Sequence, residues 1–167
     1  LDLALINIGG KIGWDRRYRT GNILFSGDNT SAPSPNGASE LFHVGNNEIG
    51  SYLVTLNYWN LRIEESSIKV PLKIFVATKP DNRELDTAYM VNPNSVVCVA
   101  NTTIDKKQKI LGLLAITPTE CRFYFSESYM GKSQTSSSNK YTEDTNKYFL
   151  HYFSKIISLN LILELSG

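Results

Sequence analysis

The sequence predicts a mainly β fold, a two-sheet antiparallel β-sandwich with a C-terminal α-helix packed on it. Short apolar or alternating segments recur along most of the chain, and turn-forming residues separate them. An amphipathic pattern with helical spacing occurs only near the end, from Thr142. The 167 residues, 41% of them hydrophobic, fit one domain, 1–167, that buries its own core.

The segments with strand character differ in their expected position. Residues 49–59 carry bulky side chains on both faces, which predicts a central strand. Pro71 lies inside a later segment and predicts an edge strand or a bulge. The last three segments are joined by short turns and predict an antiparallel meander. The predicted strands are residues 1–8, 22–25, 49–59, 68–77, 95–100, 109–117 and 121–126.

The C-terminal segment has the features of a helix. Thr142 can cap its first turn, where Glu143 and Asp144 are favourable. Its aromatic and aliphatic stripe is expected to pack over one sheet, and a partner-binding face is the alternative. Residues 158–166 fit either a second helix or a closing strand. The stripe consists of Tyr148, Phe149, Tyr152, Phe153, Ile156 and Ile157.

Composition excludes several classes of function. A net charge of +1 favours neither nucleic acid nor an anionic membrane as a partner, and no apolar run reaches the ~20 residues of a membrane span. Cys98 and Cys121 lie in apolar runs and are expected to be buried free thiols, which fits a cytoplasmic location. Because the chain opens directly on a strand at Leu1, we expect a segment of a longer protein.

No catalytic constellation can be assembled from the sequence. The only histidines, His43 and His151, lie outside any nucleophile or zinc motif, and there is no dinucleotide fingerprint. The basic and aromatic stretch 14–19 is more typical of a solvated edge than of a base-stacking surface. We therefore expect a protein that is not an enzyme. A hydrolase or nuclease with carboxylates from distant loops is the remaining enzymatic alternative.

The loop from Ser26 to Glu40 is the best candidate for chemistry. It contains two acidic residues, many neutral oxygens, two prolines and two glycines between two apolar runs. Such a loop can gather hard oxygen ligands over a rigid turn, as a calcium ion requires. An ordinary surface turn is the alternative.

Several motifs together resemble the TerD-type tellurium-resistance and stress-response family. The most specific is the Gly-Asp-Asn-Thr block at 27–30, with Glu40 about ten residues later. The similarity covers most of the chain, although loosely. The matching segments are Leu1-Asp2 with Ala4-Leu5-Ile6, Phe25–Thr30, Gly37–Glu40, Ile74–Ala77, Ile110–Leu113, Phe123–Phe125 and Gly131–Ser133.

This resemblance implies a β-sandwich that binds calcium through acidic loops, within a bacterial stress-response, tellurium-resistance or defence system. It also implies protein partners in a multi-component complex. The family's early strand carries an acidic run where this chain has Asp2 alone. The implied function is therefore a calcium-binding module or a degenerate form of one. A metal-free protein interaction domain is the alternative function. The implied ligands are the carboxylates of Asp2, Asp28 and Glu40 and the neutral oxygens of Asn29, Thr30 and Ser39.

Overall fold

The computed structural model contains ten strands among the residues that it describes. These residues are 1–7, 9–15, 17–58, 69–79, 83–129, 147–148, 151–152 and 155. No helix within them is long and apolar enough to cross a membrane. The strands are β1 (Asp2–Asn7), β2 (Gly10–Gly13), β3 (Arg19–Thr20), β4 (Ile23–Phe25), β5 (Phe42–Val44), β6 (Gly50–Asn57), β7 (Val70–Ala77), β8 (Val96–Ile104), β9 (Gln108–Ile116) and β10 (Cys121–Tyr129).

The strands form three antiparallel sheets. The largest has the order β10-β9-β6-β1-β2, a second has the order β3-β4-β5, and β7 pairs with β8 in a third. The predicted mainly β, antiparallel fold is therefore confirmed. The finer prediction of a two-sheet sandwich is not, because strand pairing among the described residues gives three sheets rather than two.

One face of the five-stranded sheet carries the contacts to both smaller sheets. Leu5 and Tyr52 cluster with Ile23 of β4 and with partly buried side chains of β5. Further along the same sheet, Leu56 and Leu111 cluster with Ile104 of β8 and with partly buried residues of β7. Successive residues of a strand point to opposite faces, so Ile6 and Leu53 belong to the other face. A third buried cluster lies there: Ile6, Leu53, Ile110 and Leu113.

Most predicted strands appear within a residue or two of their expected limits. The segment expected to be central, 49–59, is β6, the third strand of five. Pro71 lies in β7. In the described part of the chain β7 has one partner strand, β8, so it occupies the edge position that Pro71 predicted.

The predicted meander is wrong in one of its three strands. β9 and β10 form a hairpin, but β8 pairs with β7 instead of β9. β8 is also longer than predicted, because it continues past Ala100 to Ile104, which is fully buried. The turn between β8 and β9 thus carries the chain from one sheet to another.

The prediction that both cysteines are buried is also wrong. Cys98 and Cys121 are free thiols, as expected, but both are exposed. Cys98 lies on the two-stranded sheet, in which Ile104 is the only fully buried residue of β8, and Cys121 begins the edge strand β10. An apolar run is compatible with exposure at a sheet edge, where only one side of the strand is covered.

The predicted C-terminal helix is not found as an element among the described residues. Lys147, Tyr148, His151 and Tyr152 have helical conformation, and Tyr148 and Tyr152 are exposed. The remaining stripe residues, the capping residues 142–144 and the segment 158–166 lie outside the described residues, as do residues 131–140 and 59–68. The packing of a helix on the sheets therefore stays a prediction.

Candidate functional site

The loop that the sequence singled out connects β4 to β5 and is closed at its base. The backbone N–H of Ser26 donates to the carbonyl of Leu41 at 2.9 Å, and the N–H of Leu41 donates to Ser26 Oγ at 3.0 Å. Within the loop, the N–H of Gly37 donates to the carbonyl of Pro33 at 2.8 Å. Pairing at the base brings Asp28 and Glu40, which are near opposite ends of the loop, to the same place.

Three carboxylates from distant positions meet at this loop. One oxygen each from Asp2, Asp28 and Glu40 lie within 4.8 Å of one another. Asp2 is the first residue of β1, whereas Asp28 follows β4 and Glu40 precedes β5. These are the three carboxylates that the family resemblance implied as ligands, and the fold brings all of them together.

Glu40 is held in place by backbone groups on both sides. Its Oε2 accepts a hydrogen bond from the N–H of Leu3 at 2.6 Å, and its Oε1 accepts one from the N–H of Asn29 at 3.1 Å. β2 pairs with β1 only as far as Ala4, which lies opposite Gly13. The Glu40 carboxylate thus provides an acceptor for the Leu3 N–H beyond the end of β2.

Asp2 is oriented by a residue of the neighbouring strand. Asn57 lies opposite Asp2 at the end of β6, and Asn57 Nδ2 donates to Asp2 Oδ2 at 3.0 Å. Sequence analysis missed Asn57. A polar residue at the end of an otherwise apolar strand was the available signal, but nothing in the sequence showed which residue lay beside it.

The three neutral ligand candidates behave differently. Asn29 contributes its backbone N–H to Glu40, and its Oδ1 accepts a hydrogen bond from the N–H of Ser31 at 3.3 Å. Its Oδ1 therefore keeps a second lone pair. Thr30 and Ser39 are exposed residues of the same loop. The side chains that the structure brings together are the three carboxylates.

The environment of Glu40 favours its neutral form. Burial raises the pKa of Glu40 from 4.5 to about 7, and the negative charges of Asp2 and Asp28 act in the same direction. The hydrogen bonds from the backbone of Leu3 and Asn29 lower the pKa and only partly oppose this shift. Either a proton or a cation at this position would relieve the repulsion among the three carboxylates.

The geometry suits a hard cation. Calcium binds oxygen ligands at about 2.3–2.6 Å, so two oxygens on the same ion are at most about 5 Å apart. The three carboxylate oxygens satisfy that limit. Each Glu40 oxygen accepts one N–H and keeps a second lone pair for a metal. Three carboxylates leave several positions of a six- to eight-coordinate ion for neutral oxygens or water.

Comparisons with protein-family models, with curated proteins and with solved structures gave no match to this chain. The resemblance to the TerD-type family therefore rests on the motifs of the sequence alone.

Proposed function

We propose that this chain is a non-enzymatic β domain that binds a calcium ion through Asp2, Asp28 and Glu40. The observation that carries the proposal is the meeting of three carboxylates, from β1 and from both ends of one loop, within 4.8 Å. Carboxylates this close repel one another. A divalent cation bound between them attracts each carboxylate and so outweighs that repulsion. The proposed fold is a sandwich in which the two smaller sheets form the second layer and a C-terminal helix packs on the domain.

The small number of acidic ligands implies modest affinity. Ligand charge and the rigidity of the site set much of the affinity of calcium sites, which spans about 10⁻⁹ to 10⁻³ M. A site with three carboxylates on a loop that is fixed at its base suits the weaker part of that range. Asn29, Thr30 and Ser39 are the proposed sources of neutral oxygens.

Calorimetric titration tests the proposal. We expect heat of calcium binding from the parent protein and a loss of at least tenfold in affinity for Asp28→Asn, which removes one charge with little change in shape. The matched control is Glu48→Gln. Glu48 also accepts a backbone hydrogen bond, from Asn22 at the other end of β4, and lies outside the cluster. An absence of heat from the parent protein, or equal binding by both variants, would contradict the metal site.

The broader role that we propose follows from the family resemblance. It is a module of a bacterial stress-response, tellurium-resistance or defence system, in the cytoplasm, with protein partners in a multi-component complex. The resemblance in motifs supports this role. Co-purification of tagged full-length protein from tellurite-stressed and unstressed cells, with Asp28→Asn as the comparison, would test whether partners are acquired and whether they require the site.

A metal-free protein interaction domain is the second candidate. It is supported by the exposure of Tyr148 and Tyr152, two members of the aromatic stripe near the end of the chain. In that case Glu40 would hold a proton instead of a metal, as a degenerate form of the site. Replacement of Tyr148 and Tyr152 by serine should then abolish partner capture, whereas Asp28→Asn should leave capture intact.

A further inference from the structure

The two strands of the smallest sheet differ in how well their edges are protected. β7 contains Pro71 and Lys73, both of which discourage the addition of another strand. β8, with the sequence VVCVANTTI, contains neither a charged residue nor a proline. Among the described residues β8 has one partner strand, β7. Within the described part of the chain, the other edge of β8 therefore has neither of the two protections that β7 carries.

Part of β8 also exposes apolar side chains. Val97 is 65% exposed and Val99 is 51% exposed, and Cys98 between them is exposed as well. Val99 lies opposite Phe75 of β7, whereas Val97 is the extra residue where the register shifts, between the pairs Val76–Cys98 and Ala77–Val96. These two solvent-exposed valines flank Cys98 in the first half of β8.

The other end of β8 is already occupied. Lys109 of β9 donates from its Nζ to the carbonyl of Thr103 and to Thr102 Oγ1, both at 2.6 Å. This contact uses a backbone acceptor of β8 that a new strand would need. Within the described part of the chain, the stretch of β8 that this contact leaves open is therefore residues 96–101, which includes both exposed valines.

We propose that residues 96–100 of β8 pair in antiparallel fashion with the same residues of a second copy of this chain, around a two-fold axis at Cys98. A two-fold axis through an edge strand places an identical strand antiparallel to it. In this register Val97 lies opposite the partner's Val99, so each pair covers the other's exposed apolar surface. Because the strand is uncharged, pairing with itself opposes no like charges.

The size of this contact sets its strength. One pair of short strands buries less than the roughly 1,200 Å² of a standard stable interface. The dimer is therefore weak and dissociates on dilution. This association uses the two-stranded sheet and does not depend on the proposed calcium site.

Sedimentation velocity under reducing conditions tests the proposal. Between about 5 and about 500 µM, the parent protein should shift from monomer toward dimer, and Val99→Lys should remain monomeric throughout. Met90→Lys is the matched control, because Met90 is apolar and 91% exposed but lies outside β7 and β8; it should dimerise like the parent. A parent protein that is monomeric at the highest concentration, or dimerisation by Val99→Lys, overturns the proposal.

Cysteine cross-linking tests the register. Opposed residues in antiparallel strands have Cα atoms about 4.5–5.5 Å apart, within the range that a disulfide spans. Diamide, which takes up the two electrons and two protons released by a thiol pair, should link two copies of the parent at high concentration. Cys121→Ser should cross-link equally well, and Cys98→Ser should not. Cross-linking by Cys98→Ser, or its loss in Cys121→Ser, overturns the pairing at Cys98.

Discussion

The carboxylate of Glu40 accepts a hydrogen bond from the backbone N–H of Leu3 at 2.6 Å, across 37 positions of the chain. This bond attaches the β4–β5 loop to the beginning of β1 and brings Glu40 to Asp2. The bond stabilises the charged form of Glu40, whereas burial and the two neighbouring carboxylates favour the neutral form. The raised pKa of Glu40 therefore belongs to the site without a bound metal ion.

The stability of the metal-free protein should depend on Glu40 and pH. The folded pKa of about 7 exceeds the ordinary value of 4.5, so the folded state binds more protons between these values. The contribution of Glu40 is then fully present below about pH 4.5, falls as the pH rises, and is lost above about 7. Urea unfolding in EDTA at several pH values, compared for the parent and Glu40→Gln, measures it.

The comparison with Glu40→Gln is needed because His43 acts in the opposite direction. Burial lowers the pKa of His43 below 6.5, so its contribution to stability increases as the pH rises toward that value. The difference between the parent and Glu40→Gln removes this common term. Equal pH dependence in the two proteins would show that Glu40 does not hold a raised pKa.

Calcium affinity should fall at acidic pH. A metal must displace the proton from Glu40, so below about pH 7 each unit of pH should weaken apparent binding by up to about tenfold. Calorimetric titrations at about pH 8 and pH 6 measure this effect. If affinity is the same at both pH values while Asp28→Asn still weakens it, calcium binds without displacing a proton from Glu40.

Gly112→Ala should destabilise the fold strongly. A Cβ at this position in β9 would clash with the carbonyl oxygen of Tyr124 in the neighbouring strand, and Gly112 has a φ of +153°. We expect a loss of about 3 kcal/mol or more in the free energy of unfolding, measured with urea. Gly10→Ala is the control, because Gly10 has a φ of +131° with no atom near its Cβ. Equal losses of stability in the two variants would mean that the positive φ of these glycines, and not the clash with Tyr124, decides the effect.

Lys109→Met should also destabilise the protein. The Lys109 side chain is 3% exposed, and its Nζ lies 2.7 Å from Glu127 Oε1 in addition to its contacts with β8. Methionine leaves the Thr103 carbonyl without this donor, at an expected cost of about 2 kcal/mol in the free energy of unfolding. Glu127→Gln should cost less, because Glu127 is half exposed and glutamine keeps an acceptor. A Lys109→Met variant as stable as the parent would show that the contact is dispensable.

The period and composition of the sequence predicted much of the β structure. Alternation located β6, and apolar runs between turn residues located β1, β4, β7 and β9 closely and the beginning of β10. These signals are local, because each depends on side chains that alternate between two faces of one strand. The oxygen-rich loop was recognised in the same way, from its own composition.

Tertiary structure decided what the local pattern could not. The sequence of β8 resembles a buried run, but it does not show which strand pairs with β8. In the fold, β8 pairs with β7 and Cys98 is exposed. In the same way, β1 and the β4–β5 loop meet because Glu40 accepts the free N–H of Leu3. By itself the sequence determined a mainly antiparallel β protein with an acidic loop. Only long-range packing brought Asp2, Asp28 and Glu40 together, since residues so far apart in the chain meet only through the fold.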